Sequence, residues 1–155
     1  MHESSKNNEW LGEGVYFFAY LAHAEWWVTH ERYKNRKTAI LQAQLTYTDE
    51  QLLDLDDPEE IRKINLIFQE AVSKRDHREP FFMIENPKKE QKQCFACNLI
   101  RKICPEIGII VHTFPKDIDH NKISLYRGNE RQMCVSKQSI ISDIKEVNSE
   151  DVRSK

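Results

Sequence analysis

Two glycines placed directly before an aromatic segment constrain this chain more than any other feature. Gly12 and Gly14 are two of the four glycines among 155 residues, and they lead into Val15–Phe18, whose sequence is Val-Tyr-Phe-Phe. A glycine lets the backbone turn sharply or approach another group closely, because it has no Cβ. Tyrosine and phenylalanine are common in strands. The segment therefore predicts a sharp turn followed by a strand that presents the Tyr16 ring to a flat ligand.

Composition narrows the class of protein. Hydrophobic residues make up 39% and charged residues 31% of the chain, which is typical of one globular domain with a core. The formal net charge of −2 gives no overall basic excess for binding nucleic acid. Apolar runs fall short of the roughly 20 residues that a membrane span needs, and polar residues 1–9 lack the apolar segment of a secretory signal. We predict one cytoplasmic domain over residues 1–147 with a polar tail at 148–155.

The periodicity of apolar residues predicts a mixed α+β domain. Asp57 is a suitable N-cap and Pro58 a suitable first residue for one of its helices. Residues 76–90 are predicted to form a loop that folds onto the core through Phe81 and Phe82. The fold class indicated is a single domain with helices packed on a mainly antiparallel, split sheet. The predicted strands are 15–18, 38–45, 52–56, 107–114, 123–126 and 131–135, and the predicted helices are 19–33, 58–74, 90–103 and 139–147.

The four cysteines, which are Cys94, Cys97, Cys104 and Cys134, invite a zinc or redox interpretation. However, Cys94, Cys97 and Cys104 fall on one helical face together with Ile100, and a buried cysteine behaves as a small hydrophobic residue. The chain also has no second Cys-x-x-Cys to complete a zinc site. We therefore predict free thiols packed in the core and no metal site, with a redox or zinc-binding role as the weaker alternative.

Residues 10–18, Trp-Leu-Gly-Glu-Gly-Val-Tyr-Phe-Phe, and residues 24–27, Ala-Glu-Trp-Trp, carry a family resemblance. The first segment resembles the Gly-x-Gly-(Val/Ile/Leu)-Tyr-Phe motif of ADP-ribosyltransferase-like domains. That fold is shared by poly-ADP-ribose polymerases and many bacterial and phage toxins, and the two segments together are similar to the bacterial and phage branch. The resemblance implies that Tyr16 stacks on the nicotinamide of NAD and that Gly12 and Gly14, which align with the glycines of the motif, belong to the NAD-binding site. It also implies that further aromatic residues shape the pocket or the core: Trp10, Phe17 and Trp27.

Residues 129–135, Asn-Glu-Arg-Gln-Met-Cys-Val, resemble the late strand that carries the catalytic glutamate of this family. One alignment gives Glu130 the catalytic position and another gives it to Gln132. The two residues are two positions apart, so a strand would direct both to one face. Glu130 is favoured because a carboxylate stabilises the positive charge that develops as nicotinamide leaves, and an amide does this less well.

The family's opening strand, which carries a histidine, has no good counterpart. His2 alone precedes Tyr16, and it lacks the glycine that follows the family's histidine. The chain is then a fragment or alternative start of a longer enzyme, a degenerate relative that binds a partner, or one part of a site that another chain completes. A sheet without that strand exposes unpaired backbone groups, which predicts self-association or the binding of a peptide or antitoxin along the edge.

Another histidine, His112, alternates with Val111 and Thr113 in a predicted strand. This position allows it to face a cleft, but a histidine at the core or its rim with a satisfied partner is the favoured interpretation.

The resemblance implies an ADP-ribosyltransferase-like protein in a toxin, defence or counter-defence role. It would cleave NAD, as substrate, and transfer ADP-ribose to a macromolecular acceptor of unknown type without a metal. The alternative is a catalytically degenerate relative that acts as a protein-interaction module.

Overall fold

The computed structural model describes residues 9–29, 37–74, 79–115 and 129–147. These residues form a small α+β fold with three α-helices and six strands. In chain order the elements are β1 (Val15–Phe18), α1 (Leu21–Thr29), β2 (Leu41–Leu45), β3 (Leu52–Asp54), α2 (Pro58–Lys74), α3 (Lys89–Ile103), β4 (Ile109–Phe114), β5 (Glu130–Val135) and β6 (Ile141–Glu146).

The strands form two sheets and most strand pairs are antiparallel, so the predicted α+β class with a mainly antiparallel sheet is confirmed. The larger sheet has the order β1-β5-β4-β3, with β3 parallel to β4 and the other pairs antiparallel. The smaller sheet pairs β2 with β6 in antiparallel orientation. In the larger sheet one row of paired residues runs from Tyr16 through Cys134 and Ile110 to Leu53. Because paired residues point to the same side of a sheet, this row defines the face that we call the helix side.

Both faces of the larger sheet are covered. On the helix side, Ile110 and Cys134 form a core with Ile64 of α2 and Cys97 and Ile100 of α3. On the opposite face a second core lies between the larger and the smaller sheet: Ile109, Val111, Val135 and Ile140, with Leu45, Ile141 and other partly buried residues packed against them. A central strand buried on both faces needs a continuous run of apolar residues, which explains the sequence Ile-Ile-Val at the start of β4.

The helix α2 begins as predicted, but few of its apolar side chains are buried. The Asp57 carboxylate accepts a hydrogen bond from the Glu59 backbone N–H at 2.9 Å, and Pro58 is the first helical residue. Ile64 is buried, whereas Ile61 and Val72, which lie at helical spacings from it, are exposed. The helix therefore packs against the sheet through a short central contact.

The predicted closing helix at 139–147 is wrong. A short 3₁₀ turn at Gln138–Ile140 leads into β6, in which Ile141 pairs with Leu45 of β2. The isoleucines at 140, 141 and 144 fit a helical spacing, but β-branched residues also favour strands. Pairing with β2 supplies the ladder hydrogen bonds that decide between the two structures.

Most of the other element boundaries agree with those predicted from the periodicity of apolar residues. Phe81 and Phe82 lie in the 3₁₀ turn Pro80–Met83, inside the predicted loop, and the Phe81 ring stacks on Phe95 of α3 at a centroid distance of 4.3 Å. Several predicted strands are longer than the observed β2, β3 and β4. Some predictions lie wholly or partly outside the described residues: the end of the first helix beyond residue 29, the strand at 123–126, and the tail at 148–155.

Candidate functional site

The two glycines shape the turn that precedes β1. Gly12 has a positive φ of 81°, a conformation that L-residues with a side chain rarely adopt. Gly14 passes close to β5, since a Cβ added there would lie 2.6 Å from the carbonyl oxygen of Val135. The close-approach role that the sequence predicted for these glycines is thus filled by the protein's own neighbouring strand.

The helix α3 holds this glycine turn in place. Asn98 Oδ1 accepts a hydrogen bond from the Glu13 backbone N–H at 2.9 Å. The Arg101 guanidinium donates to the carbonyl oxygens of Glu13, at 2.7 Å, and of Cys134, at 3.1 Å. Arg101 therefore joins the turn to β5. Neither Asn98 nor Arg101 was predicted as a site residue, although their spacing of three positions on a predicted helix is a signal for a shared face.

Tyr16 lies on the helix side of β1, opposite Cys134 of β5. Its hydroxyl donates to the carbonyl oxygen of Gly12 at 2.8 Å and accepts from the Leu11 backbone N–H at 2.9 Å. Its ring is partly buried against the helix-side core. Burial raises the pKa of the Tyr16 hydroxyl, so this side chain is a neutral group tied to the glycine turn.

Glu130 is the buried charged residue of this region, with 5% of its surface exposed. The indole Nε1 of Trp27 on α1 donates to both carboxylate oxygens, at 3.1 and 3.0 Å, and Gln132 Nε2 donates to Oε1. The prediction that Glu130 and Gln132 share one strand face is therefore confirmed. Buried carboxylates are retained when such donors compensate for the loss of water.

Aromatic rings surround this carboxylate. Phe18, which is paired with Gln132, stacks on Trp27 with a centroid distance of 6.0 Å. Phe114, which is paired with Glu130, meets the Trp10 ring edge-on at 5.6 Å. We call this group, which consists of Trp10, Phe18, Trp27, Phe114, Glu130 and Gln132, the aromatic–carboxylate cluster. Phe17 does not join it, because alternation along β1 directs that ring to the core on the opposite face of the sheet.

A polar network that the sequence did not reveal lies where β3 ends. The Arg131 guanidinium donates to Asp54 Oδ2 at 2.8 Å and to Asp56 Oδ2 at 2.7 Å. Asp56 also accepts from the Thr113 backbone N–H at 2.8 Å and hydroxyl at 2.6 Å. Partial burial alone would raise the pKa of Asp56, but the Thr113 hydrogen bonds and the charges of His112 and Arg131 outweigh it and lower this pKa.

His112 connects this network to the aromatic–carboxylate cluster. Its Nδ1 lies 2.9 Å from Asp56 Oδ1, within ion-pair distance but not aligned as a hydrogen bond. Its ring meets Phe114 edge-on at a centroid distance of 4.8 Å. His112 is partly buried, as predicted for the rim of the core, but the predicted satisfied partner is not found, because its buried Nδ1 makes no hydrogen bond with the described residues. His2, the histidine that precedes the glycine motif, lies outside the described residues.

The cysteines are core residues, as predicted. All four are free, and Cys94, Cys97 and Cys134 are buried. Burial raises the pKa of the Cys97 thiol to about 12 and also raises the pKa of Cys134. A thiol that stays protonated is a poor nucleophile and a poor metal ligand. Within the described parts of the chain, no three His, Cys, Asp or Glu residues are grouped so that they could hold a metal ion.

No family model, no curated protein and no solved structure matches this chain. In the described ranges, no helix has both the length and the apolar character needed to cross a bilayer.

Proposed function

We propose that this protein is an ADP-ribosyltransferase-like enzyme that cleaves NAD at the nicotinamide–ribose bond and transfers ADP-ribose to a macromolecule. The observation that carries the proposal is the direct pairing of β1 with β5. Through this pairing, Tyr16 and Phe18 of the glycine-motif strand share the helix side of the sheet with Glu130 and Gln132. The two segments that resemble the family are far apart in sequence but adjacent in space.

The environment of Glu130 suits the proposed chemistry. Breaking a glycosidic bond leaves positive charge on the ribose, and enzymes that do this stabilise it with a carboxylate. Glu130 is 95% removed from solvent, with 5% of its surface exposed, so its charge acts through a medium of low dielectric constant. The Trp27 and Gln132 donors hold this carboxylate in a fixed position before a substrate arrives.

Binding of NAD requires a local rearrangement. Trp27 donates to both oxygens of Glu130, so a ribose hydroxyl must replace or share that indole donor. Trp27 belongs to α1, a helix of nine residues that contacts the larger sheet mainly at β1. A short helix at the rim of the sheet is able to move with little disruption of the core. The proposal therefore includes an outward shift of Trp27 on NAD binding.

The biological role proposed is that of a toxin, a defence factor or a counter-defence factor. The acceptor of ADP-ribose is a macromolecule of unknown type, and the supply of NAD sets the cytoplasm as the place of action. No metal is needed, because the carboxylate alone stabilises the charge in this mechanism.

The test is nicotinamide release from NAD by the purified protein, alone and with cell lysate. Glu130→Gln keeps the shape of the side chain and removes its charge, and we expect activity to fall about 100-fold or more, the range seen when one stabilising group is lost. Tyr16→Phe keeps the ring and removes both hydroxyl hydrogen bonds. Glu85→Gln, at an exposed position, is the matched control and should remain fully active. Release that is unchanged in Glu130→Gln would contradict the proposed role of this carboxylate.

The second candidate is a catalytically degenerate interaction module. It is favoured by the existing contacts of Glu130, whose oxygens already accept from Trp27 and Gln132. It is also favoured by β1, which forms one edge of the larger sheet among the described residues. The proposed partner along that edge is an antitoxin or a second copy of the chain. Absence of NAD binding by the wild type, together with a dimer in solution, would support this candidate over the enzyme.

A further inference from the structure

His112 and Asp56 form a histidine–carboxylate pair, an arrangement in which the imidazole can accept a proton. Their closest atoms, Nδ1 and Oδ1, are 2.9 Å apart. Asp56 is itself fixed by Thr113 and Arg131, at distances between 2.6 and 2.8 Å. This contact is not aligned as a hydrogen bond, but the negative charge of a carboxylate beside one ring nitrogen favours the proton on that nitrogen and the lone pair on the other. Here the proton would lie on Nδ1 and the lone pair on Nε2.

The exposure of the ring agrees with this arrangement. Nδ1 of His112 is buried, whereas the side chain as a whole is 25% exposed. The solvent contact therefore comes from the other ring atoms, and Nε2 is the remaining nitrogen. The edge-on contact with Phe114 restricts the ring further.

The position of His112 connects this pair to the proposed active site. His112 of β4 lies directly opposite Gln132 of β5, in the row next to the one that pairs Phe114 with Glu130. Opposite residues on one sheet face have Cβ atoms about 5 Å apart. The ring thus lies beside the aromatic–carboxylate cluster on the same side of the sheet.

We propose that His112 is the general base of the transfer step, with Asp56 as its positioning residue, and that the acceptor group is a hydroxyl. This inference rests on the proposed function. Nicotinamide leaves with the electron pair of the nitrogen–C1′ bond, and the acceptor oxygen forms the new bond to C1′. The hydroxyl proton passes to Nε2 of His112, which then releases it to solvent. A neutral hydroxyl needs such a base, whereas a nucleophile that is already an anion does not.

The charges around His112 set the direction of the pH dependence. Asp56 faces it from just beyond β3, and Glu130 of β5 lies on the same face of the sheet. Asp54 and Arg131 are on the opposite face, from which the Arg131 guanidinium reaches both aspartates. The imidazole accepts a proton only in its neutral form, so activity should be lost as the pH falls. Arg131 pairs with both Asp54 and Asp56, and Asp56 is the carboxylate in contact with the ring.

The test uses NAD with two nucleophiles, water and azide. In His112→Ala and His112→Asn we expect the turnover of NAD in water to fall about 100-fold or more, the loss typical of a removed general base, while NAD binding is unchanged. Azide carries no proton and should restore turnover in both variants. His23→Asn, a histidine of α1 that contacts Tyr20, is the matched control and should behave as the wild type.

Asp56→Asn tests the positioning role, and Asp54→Asn is its matched control, since both lose an ion pair with Arg131 but Asp56 alone contacts His112. We expect the acid limb of the pH profile to shift in Asp56→Asn and to stay in Asp54→Asn. His112 variants with wild-type turnover and pH profile would refute the base and leave the enzyme proposal intact. Variants that bind NAD but are not restored by azide would also refute the base. A wild type that neither binds nor cleaves NAD would refute both proposals.

Discussion

The two ends of the helix side of the larger sheet are built from the same strands but differ in chemistry. At one end β4 and β5 place Ile110 opposite Cys134, under α3, where both side chains are fully buried. At the other end the same strands place His112 opposite Gln132 and Phe114 opposite Glu130. The apolar end is packed by helices, and the polar end is covered by the Trp27 indole of α1.

The apolar end stabilises the fold, whereas the polar end is costly to bury. Apolar burial stabilises the fold by about 25 cal/mol per Å² of surface removed from water. A buried carboxylate gives no such gain, because the loss of its hydration must be offset by hydrogen bonds. A fold selected for stability alone would have apolar side chains along β4 and β5 beyond Ile110 and Cys134, at the positions of His112 and Gln132. The polar end is therefore the part of the sheet where a functional explanation is needed.

The largest effect is expected from breaking the apolar end. Ile110→Ala removes a fully buried side chain at the centre of the sheet, and we expect the free energy of unfolding to fall by about 2–5 kcal/mol. Denaturant unfolding followed by circular dichroism measures this change. Ile144→Ala, on the exposed part of β6, is the matched control and should cost about 0.5 kcal/mol or less. Equal losses of unfolding free energy in the two variants would contradict the assignment of Ile110 to the helix-side core.

The buried apolar segments, on both faces of the larger sheet, were the predictable part of the fold. The run Ile109, Ile110 and Val111 and the helical spacing of Cys94, Cys97 and Ile100 are local patterns, and the structure buries all six residues. The strand β6 was not predictable in this way. Its isoleucines fit a helix as well as a strand, and the choice depends on pairing with β2, which lies about 100 residues earlier in the chain.

A smaller effect is expected at the polar end. Trp27→Phe keeps an aromatic ring beside Phe18 but removes the donor to Glu130, and we expect a loss of about 1–3 kcal/mol, the cost of weakening a buried hydrogen bond to a charged group. In the double variant with Glu130→Gln, the two losses should not add, because the variants share one contact. Trp10→Phe, which keeps a ring against Phe114, is the matched control. Strict additivity would show that the indole contributes nothing through this carboxylate.

The candidate site was only partly predictable from the sequence. That Glu130 and Gln132 share a face follows from their spacing of two, which is a local property of strands. The Trp27 donor lies 103 residues from Glu130, and Asp56 lies 56 residues before His112, so no local pattern connects them. These contacts are products of the strand order β1-β5-β4-β3, which brings the ends of three separate segments together.

The smallest effect concerns the acid stability of the network that borders the polar end. The pKa of Asp56 in the folded protein is lowered below its ordinary value of 3.8. A carboxyl with a lowered pKa stabilises the fold above its unfolded pKa, and this contribution is lost as the pH falls through the folded value. Unfolding midpoints of the wild type should therefore decrease below about pH 4, and Asp56→Asn should show a shallower decrease.

Glu70→Gln, which alters the exposed Lys74–Glu70 pair, is the comparison. The contrast between the two variants should weaken in high salt, because Asp56 and Arg131 are partly exposed to solvent and their attraction is partly screened. If the unfolding midpoint of Asp56→Asn decreased with pH as steeply as that of the wild type, Thr113 and Arg131 would bind the uncharged amide as firmly as the carboxylate. The network would then contribute to stability through its hydrogen-bond geometry and not through the charge of Asp56.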